Sequence, residues 1–418
     1  MQVCIFEDHQ FRTFLPLVYF RPVYELRCGA LSLRQKIEAC FPRAKVLLHL
    51  RGDLAQCYRD DNPGAAVNTV PEGDTWFING RLVADGALAK LVRRKRQAEC
   101  AYVADGEVAA AYVRAKSVPS VVRSWGEPIT AQNFTGIPSE PFAGTLVRYP
   151  WDLVSRSADE IANDFRQRSK KVARGLRPKI YRGAELLNRK NIVVGGGSVV
   201  KPGAVLDGEK GPIILGRNVT IMPNAVIEGP AFIGDHSIIK AGAKIYHGTS
   251  VGAHCKVGGE LETSIIQSYS NKQHEGFLGH SYLGSWVNIG ADTNTSDLKN
   301  TYGNVRVRLG DEEIDTGMQF VGLTMGDHSK TGINMMFDTG TVAGISCNLY
   351  GPGVPPKFVP SFSWGEKNAI TVYDLDKSVE TARRVMTRRD VKMSEAYERL
   401  FRTVFLMTDP DRRKAGIS

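Results

Sequence analysis

The sequence predicts an α/β domain followed by a parallel β-helix, and three observations lead to this fold class. The chain has 418 residues, enough for two or three domains of ordinary size. Short apolar runs alternate with a helical pattern in the first 150 residues. Glycine is frequent, at 42 residues, and most of it falls between residues 191 and 360, where branched aliphatic residues recur with a fixed period.

This period of six residues organises the second half of the chain. The aliphatic positions are Leu215, Ile221, Ile227, Ile233, Ile239, Ile245, Val251 and Val257, and small residues follow most of them four positions later. Such a period is typical of a parallel β-helix, in which each hexad forms one strand and one corner and three hexads close a coil. We expect the aliphatic side chains to point inward, and glycine to occupy corners that need a positive φ.

The period extends in both directions, so that the predicted β-helix spans about residues 191–350. A two-residue insertion follows Val257, Asn271 takes one inward position, and residues 291–318 break the period as a loop extruded from one corner. The other residues that carry the extension are Val199, Val205, Ile265, Phe277, Leu283, Ile289, Val321, Ile333 and Ile345.

Regular elements are predicted on both sides of the β-helix. MQVCIF and AKVLLHL have the pattern of buried strands and LSLRQKIEACF that of a helix between them, an order typical of a parallel sheet. A helical linker arm should begin at a capping box formed by Ser157 and Glu160. A C-terminal cap should contain one amphipathic helix over 375–408. The predicted units are 1–150, 151–185, 186–360 and 361–418.

Charge and cysteine content restrict the classes of partner and the compartment. The formal net charge of +10 favours anionic ligands. Basic runs at 93–96 and 166–182 are interpreted as solvated helix faces or linker, because no nucleic-acid-binding motif accompanies them. The seven cysteines are scattered without a C-x-x-C, which fits a reducing compartment. With no signal-peptide pattern and no apolar run of spanning length, we predict a cytoplasmic protein that binds neither nucleic acid nor membranes.

The segment from His274 to Ala291, HEGFLGHSYLGSWVNIGA, carries the densest group of candidate catalytic residues. It resembles the motif H-x-x-Y-L-G-D-x-x-[IL]-G-x-x-V-N-I-G-A of the GlmU family, the bifunctional UDP-N-acetylglucosamine pyrophosphorylase/glucosamine-1-phosphate N-acetyltransferases. The resemblance implies a left-handed β-helix and transfer of an acetyl group from acetyl-CoA to an amino sugar 1-phosphate. It also implies a homotrimer with acetyl-CoA between neighbouring prisms.

The family's residues can be carried over one at a time onto this motif. His274 takes the position of the catalytic base, and an imidazole can deprotonate an ammonium group near neutral pH. Asn288 matches a residue implied to contact the amino sugar. Ala291 matches one whose N–H is implied to meet the acetyl oxygen. Phe277 replaces a tyrosine that binds the sugar phosphate and His280 replaces an aspartate, so the acceptor sugar is left open.

Three polar residues outside the motif are further candidates for substrate binding. Lys299 and Lys330 could hold a phosphate of the substrate or of CoA, and His328 lies in the polar segment beside Lys330. A zinc site is not predicted. His236 and His254 are 18 residues apart, so they should stack in adjacent coils and do not reproduce the three-histidine zinc site of β-helical carbonic anhydrases.

Residues 15–33 resemble the sugar nucleotidyltransferase pattern L-x-P-L-T-x-x-x-P-K-x-x-L-x-x-x-G. The family places a glycine-rich loop before this pattern, where backbone N–H groups hold the nucleotide phosphates. Here residues 7–14 read EDHQFRTF without glycine, and Arg81 stands in the place of a metal-binding aspartate. The remaining candidate nucleotide-binding residues are Asp8, Arg12, Arg21 and Arg27.

Three functions remain open on the sequence. The first is acetyl transfer to an amino sugar 1-phosphate, with or without nucleotidyl transfer from UTP with Mg²⁺. The second is a nucleotidyltransferase whose β-helix is purely structural, and the third is a non-catalytic regulator that binds a sugar nucleotide. We favour the first, because sugar phosphate, acetyl-CoA and UTP are all anionic and match the basic chain.

Overall fold

The N-terminal part of the chain is a seven-stranded sheet flanked by helices. The structure, a computed structural model, describes residues 1–94, 98–122, 127–168 and 176–417. In spatial order the strands of this sheet are Ser139–Pro141, Cys100–Ala104, Glu107–Val113, Thr75–Asn79, Gln2–Phe6, Lys45–His49 and Ala66–Val67. Two-stranded pairs form between Arg27–Cys28 and Leu31–Ser32, and between Leu82–Val83 and Thr145–Leu146.

Sequence patterning identified the central elements of this sheet. The strands Gln2–Phe6 and Lys45–His49 pair in parallel, as predicted, and the helix between them, α1, spans Leu33–Cys40. The sheet is nevertheless mixed, because Glu107–Val113 runs antiparallel to both of its neighbours. The other helices of this part are α2 (Gly52–Asp61), α3 (Gly86–Val92) and α4 (Val118–Val121), with 3₁₀ turns at His9–Phe14, Val23–Glu25 and Ala131–Phe134.

Two helices connect the sheet to the β-helix. They are α5 (Pro150–Ser155) and α6 (Ser157–Arg168). The predicted capping box at Ser157 is absent, because the Ser157 hydroxyl is buried without a hydrogen-bond partner, whereas Asp152 accepts from the Tyr149 N–H at the start of α5 (3.1 Å). The first strand of the β-helix begins at Lys179, inside the range predicted as linker. Part of each basic run, at residues 95–96 and 169–175, lies outside the described residues.

The β-helix has three faces, each a ladder of short parallel strands. Face 1 contains Lys179–Ile180, Val199–Val200, Thr220–Ile221, Ile238–Ile239, Lys256–Val257, Asn271–Lys272, Lys330–Thr331, Asn348–Leu349 and Ser363–Glu366, with Ala369–Val372 antiparallel at its end. Face 2 contains Glu185–Leu187, Val205–Asp207, Val226–Glu228, Lys244–Ile245, Glu260–Glu262 and Phe277–Gly279, followed by Asn294–Thr295 and Met336–Phe337. Face 3 contains Ile192–Val194, Ile213–Leu215, Ala231–Ile233, Thr249–Val251, Ile265–Ile266, Tyr282–Leu283, Thr324–Met325, Val342–Ala343 and Phe358–Val359.

The eight aliphatic residues from Leu215 to Val257 all lie in the core of the prism, as predicted. Outside this stretch the predicted phase is correct at Leu283 and Ile289 and wrong elsewhere. The inward residues are Val200, Leu206, Ile266, Lys272 and Leu278 instead of their immediate predecessors, Ile265, Ile345 and Val321 face other clusters, and Ile333 is 69% exposed. The reason is that corners vary in length: Val200 pairs with Ile221, but Val257 pairs with Lys272.

The repeated glycines serve close packing more than backbone freedom. A Cβ on Gly234 would lie 2.6 Å from the carbonyl carbon of Gly252 in the next coil, and one on Gly252 would lie 2.6 Å from Ser268 N. Neither residue has a positive φ. At this corner the positive φ is taken instead by larger residues, including His254 (58°) and Trp286 (62°). At other corners glycine has the positive φ, as expected, for example at Gly242 (72°) and Gly248 (74°).

The extruded loop and the C-terminal helices differ from their predicted bounds. Asn294–Thr295 still pairs with Met336–Phe337, so the loop leaves the prism only afterwards, and it contains a hairpin of Arg306–Leu309 and Glu312–Asp315. The single helix predicted over 375–408 is wrong. It is divided into α7 (Leu375–Thr387) and α8 (Glu395–Met407) by a turn with positive φ at Asp390, and α9 (Asp409–Lys414) follows.

The N-terminal sheet domain and the C-terminal helices both pack against the side of the prism. Ile161 of α6 packs on Ile214 and Phe232 of face 3, and the Ser250 hydroxyl donates to the Gly29 carbonyl (2.6 Å). Helix α8 packs between α2 and the corner where faces 3 and 1 meet, so it covers a side of the prism and not the end, where it was predicted. No helix within the described ranges is long and apolar enough to cross a membrane.

Candidate functional site

The motif residues His274 and Ala291 lie at the same corner of the prism, between faces 1 and 2, in consecutive coils. Asn271 bridges to Asn288 in parallel register, and the two chain segments stay aligned through the corner. The Asp292 N–H donates to the Glu275 carbonyl at 3.0 Å. This bridge sets a repeat of 17 residues between the two coils. Ala291 therefore occupies, in the next coil along the prism axis, the position that His274 has in its own coil.

Both residues are available to a ligand. The His274 side chain is exposed and makes no hydrogen bond with any residue that the structure describes. The Ala291 carbonyl accepts from Asn334 N at 2.8 Å, but its N–H has no acceptor among the described residues. An imidazole and a backbone donor at one corner, neither hydrogen-bonded to a described residue, can serve acyl transfer to an amine as a general base and an oxyanion donor.

A buried lysine under this corner was not found by the sequence reasoning. Lys272 lies in the inward ladder opposite Val257 and is 1% exposed. Its Nζ donates to the carbonyls of His274 (2.6 Å) and Glu275 (3.1 Å), and burial lowers the Lys272 pKa to about 8. Lysine at an inward hexad position was the available signal, but the predicted phase had placed Asn271 there.

Two cavities flank the corner. One, of about 980 Å³, lies between the end of face 2 and the inserted hairpin, and Phe277 and Lys299 line it. The other, of about 330 Å³, lies on face 1 under the α7–α8 turn, and Asn288 and Lys330 line it. Both volumes are within the range of small-molecule sites. Four of the predicted substrate-binding residues therefore line one or the other cavity.

The two remaining predicted histidines have partners within the fold. His280 Nδ1 lies 2.8 Å from Asp297 Oδ2, and its ring stacks on Phe320 with 5.1 Å between centroids. His328 is 1% exposed and its Nε2 lies 2.7 Å from the Tyr397 hydroxyl. Burial holds the His328 pKa well below its ordinary value, so at neutral pH the ring is uncharged.

His328 belongs to a column of stacked rings along the corner between faces 3 and 1. The predicted stacking of His236 on His254 is confirmed, with centroids 4.8 Å apart. Tyr269 and Trp286 continue the column at spacings of 4.8 and 4.2 Å. His328 therefore contributes to the packing of this corner.

In the N-terminal domain, the position expected to hold nucleotide phosphates is filled by an ion-pair network. Arg81 is fully buried and its guanidinium pairs with Asp8 (Nη2 to Oδ2, 2.6 Å) and with Glu107. Asn79 donates to the same Asp8 carboxylate at 2.8 Å. Asp8 also caps the 3₁₀ turn His9–Phe14 through the Gln10 N–H, which replaces the glycine-rich loop.

The three predicted arginines of this domain lie apart. Arg12 is exposed beside the Phe11 ring. Arg21 reaches the β-helix, where it pairs with Asp327 (Nη1 to Oδ1, 2.9 Å). Arg27 donates to the Ala30 carbonyl and its guanidinium lies 5.0 Å from the Phe232 ring centroid of face 3. Arg21 and Arg27 therefore contribute to the packing between the two parts of the chain.

These contacts bear on the expectation of Mg²⁺. Carboxylates are the ligands Mg²⁺ prefers, but Asp8 and Glu107 share the buried Arg81. Across the described part of the chain, no group of three or more His, Cys, Asp or Glu side chains is arranged to hold a metal ion. The residues present at this position do not fit a magnesium site.

Comparison with known proteins agrees with both halves of the fold. A family model described as sugar nucleotidyl transferase matches residues 3–172, and one described as bacterial transferase hexapeptide (six repeats) matches residues 212–246. The UDP-N-acetylglucosamine acyltransferase crystal structure aligns at 14% identity with a TM-score of 0.25, covering 53% of this chain and 78% of that chain.

The curated relatives are named Bifunctional protein GlmU. The protein of Synechococcus sp. (strain CC9311) is 28% identical and the match covers 43% of this chain and 36% of that protein. The protein of Trichormus variabilis is 29% identical, and the match covers 36% of this chain and 33% of that protein. The protein of Marinobacter nauticus is 33% identical, and the match covers 25% of this chain and 21% of that protein. The matches thus span only about a third of these relatives or less. The chain is therefore similar to GlmU proteins over part of their length, and in it a nucleotidyltransferase-like α/β domain precedes a parallel β-helix of hexapeptide repeats.

Proposed function

We propose that this chain transfers an acetyl group from acetyl-CoA to the amino group of an amino sugar 1-phosphate at the corner formed by His274 and Ala291. One observation carries the proposal. The 17-residue register supports it: an exposed imidazole and a backbone N–H that has no acceptor among the described residues lie at one corner, between two cavities.

The residues act in sequence. The His274 imidazole takes a proton from the sugar ammonium group, and the free amine attacks the thioester carbonyl, forming the C–N bond. The Ala291 N–H donates to the oxyanion of the tetrahedral intermediate. The attacking nitrogen releases its surplus proton to solvent, the C–S bond breaks, and the proton held by His274 passes to the CoA sulfur. Lys272 is a positioning residue in this scheme, because its Nζ holds the carbonyls of His274 and Glu275.

A homotrimer belongs to the same proposal. Three apolar side chains lie exposed along the corner between faces 1 and 2 in the last coils: Ile333 (69%), Met336 (48%) and Tyr350 (41%). Such side chains are typical of a surface that a second copy covers. Light scattering coupled to size exclusion should give three times the 46.0 kDa chain mass, and an Ile333→Lys variant should dissociate.

The test of acetyl transfer is a thiol-release assay with acetyl-CoA over a panel of amino sugar 1-phosphates. We expect release with at least one member, and His274→Ala should lower kcat by about 10² to 10⁴, the usual contribution of a general base. His236→Ala, which removes another exposed corner histidine, is the matched control and should retain kcat. Absence of release with every acceptor, or equal kcat in both variants, would contradict the proposal.

The family-model match at residues 3–172 favours nucleotidyl transfer from UTP as a second candidate function. Pyrophosphate release from UTP and a sugar 1-phosphate in the presence of Mg²⁺ tests it directly. The Asp8–Arg81–Glu107 network occupies the position expected for the nucleotide phosphates. We therefore expect no release of pyrophosphate. Release that survives His274→Ala would instead favour the nucleotidyltransferase with a structural β-helix. If neither assay shows turnover, the non-catalytic regulator is the remaining interpretation.

A further inference from the structure

The smaller cavity, on face 1, has an unusual charge distribution. Its walls come from two separate parts of the chain, the outer surface of face 1 and the turn between α7 and α8. Four of the lining side chains are cationic, and none is a carboxylate: Lys256, Lys330, Arg388 and Arg389. The side-chain amides of Asn271 and Asn288 lie between them on the same wall.

These cations are not neutralised within the described part of the protein. Lys330 Nζ donates to the His328 carbonyl at 2.7 Å, an uncharged acceptor, and burial lowers the Lys330 pKa to about 8. The Lys256 pKa is lowered by burial and then by repulsion from Arg389, Lys240 and Arg388. Like charges held together without a carboxylate are stabilised when an anion binds among them.

The arginines are directed toward face 1. Basic residues after a helix C-terminus often only stabilise the helix dipole, and Arg388 follows directly on α7. However, Arg389 extends across the cavity, where its Nη2 donates to Asn271 Oδ1 at 2.8 Å. The positive φ of Asp390 (57°) turns the chain immediately afterwards, which holds this pair of arginines over face 1.

We propose that this cavity binds the phosphate group of a phosphate monoester, with Arg388 and Arg389 supplied in cis by the α7–α8 turn. A dianionic phosphate is the anion that matches several cations best, because each guanidinium donates two parallel hydrogen bonds to phosphate oxygens. Two ligands of the proposed reaction carry such a group, a sugar 1-phosphate and the 3′-phosphate of CoA. The site does not depend on acetyl transfer, since it rests on residues outside the His274–Ala291 corner.

Calorimetric titration of the full-length protein tests the site without requiring turnover. The probes are inorganic phosphate, glucosamine 1-phosphate with glucosamine as its unphosphorylated match, and CoA with 3′-dephospho-CoA as its match. The variant Arg388→Ala/Arg389→Ala removes both arginines. Arg399→Ala on α8 is the control, because Arg399 is exposed and its one ion pair within the described ranges is with Glu395 (3.5 Å).

We expect each phosphorylated probe that binds to bind at least about ten times more weakly to the double variant, with the Arg399→Ala control unchanged. If the double variant binds glucosamine 1-phosphate more weakly than the wild type does, the site belongs to the sugar phosphate. If it binds CoA more weakly but 3′-dephospho-CoA equally well, the site belongs to the acyl donor. Equal affinity in the wild type and the double variant, or no binding of any phosphate probe, overturns the proposal. Phosphate binding without acetyl transfer would leave this site standing and remove the proposed activity.

Discussion

The two halves of this chain use buried cations in opposite ways. In the N-terminal domain, Arg81 is surrounded by the carboxylates Asp8 and Glu107, and Lys36 pairs with Glu160 and Asp164, each at 2.6 Å. On face 1 of the β-helix, Lys330 faces a cavity and, among the described residues, donates only to a carbonyl. Cations that are already paired maintain a fold, whereas cations without a carboxylate are available to a ligand.

The comparison explains why the same family resemblance leads to different conclusions in the two halves. The nucleotidyltransferase fold is kept, but the position of its phosphate loop holds a 3₁₀ turn and a closed ion-pair network. The β-helix keeps both the fold and the corner at which the His274 side chain and the Ala291 N–H make no hydrogen bond with any described residue.

The largest expected effect comes from removing a paired cation. Arg81→Met leaves Asp8 buried without its partner, and breaking a buried ion pair from one side costs about 3–5 kcal/mol. Urea unfolding monitored on the N-terminal domain should show this loss. Arg148→Met is the control, because Arg148 and Asp105 are exposed and 3.9 Å apart, and such pairs contribute little. If Arg81→Met were as stable as the control, the network would not be structural.

Removing a half-buried cation that has no carboxylate partner among the described residues should have a smaller effect of opposite sign. Lys330→Met removes a charge that burial disfavours, so we expect the free energy of unfolding to rise by about 1–3 kcal/mol at pH 7. Lys36→Met, which leaves two carboxylates unpaired, should lower it instead. Phosphate should stabilise the wild type and not Lys330→Met. A clear loss of stability in Lys330→Met would show that the lysine is part of the packing.

The smallest effect is a pH dependence that both halves share. Burial lowers the pKa of His49 to about 4 and holds that of His328 well below its ordinary value. Below pH 6.5 the unfolded chain binds these protons and the folded chain does not, so stability falls as the pH is lowered. Each histidine should contribute about 1.4 kcal/mol per pH unit.

Unfolding measured between pH 7.5 and 5 in His328→Gln separates the two contributions. The slope of the free energy of unfolding against pH should correspond to about one proton fewer than in the wild type, and the contribution of His49 should remain. His236→Gln, at an exposed position of the same ring column, should leave the slope unchanged. An unaltered slope in His328→Gln would mean that this ring is protonated in the folded state.

The sequence by itself determined the fold class and the inward ladder from Leu215 to Val257. These features depend on periods of two or six residues, which local geometry imposes on the chain. The prediction failed after Val257, where corners of unequal length shift the phase by one residue and replace Asn271 with Lys272.

Only the tertiary structure decided which charged residues are free to act. Arg21 and Asp327 are 306 residues apart, and Arg389 meets Asn271 across 118 residues. No sequence pattern connects such positions, because the contacts arise when the N-terminal domain and α7–α8 pack on different sides of the prism. Whether a cation binds a ligand or holds the fold depends on these long-range partners, since a nearby carboxylate neutralises it.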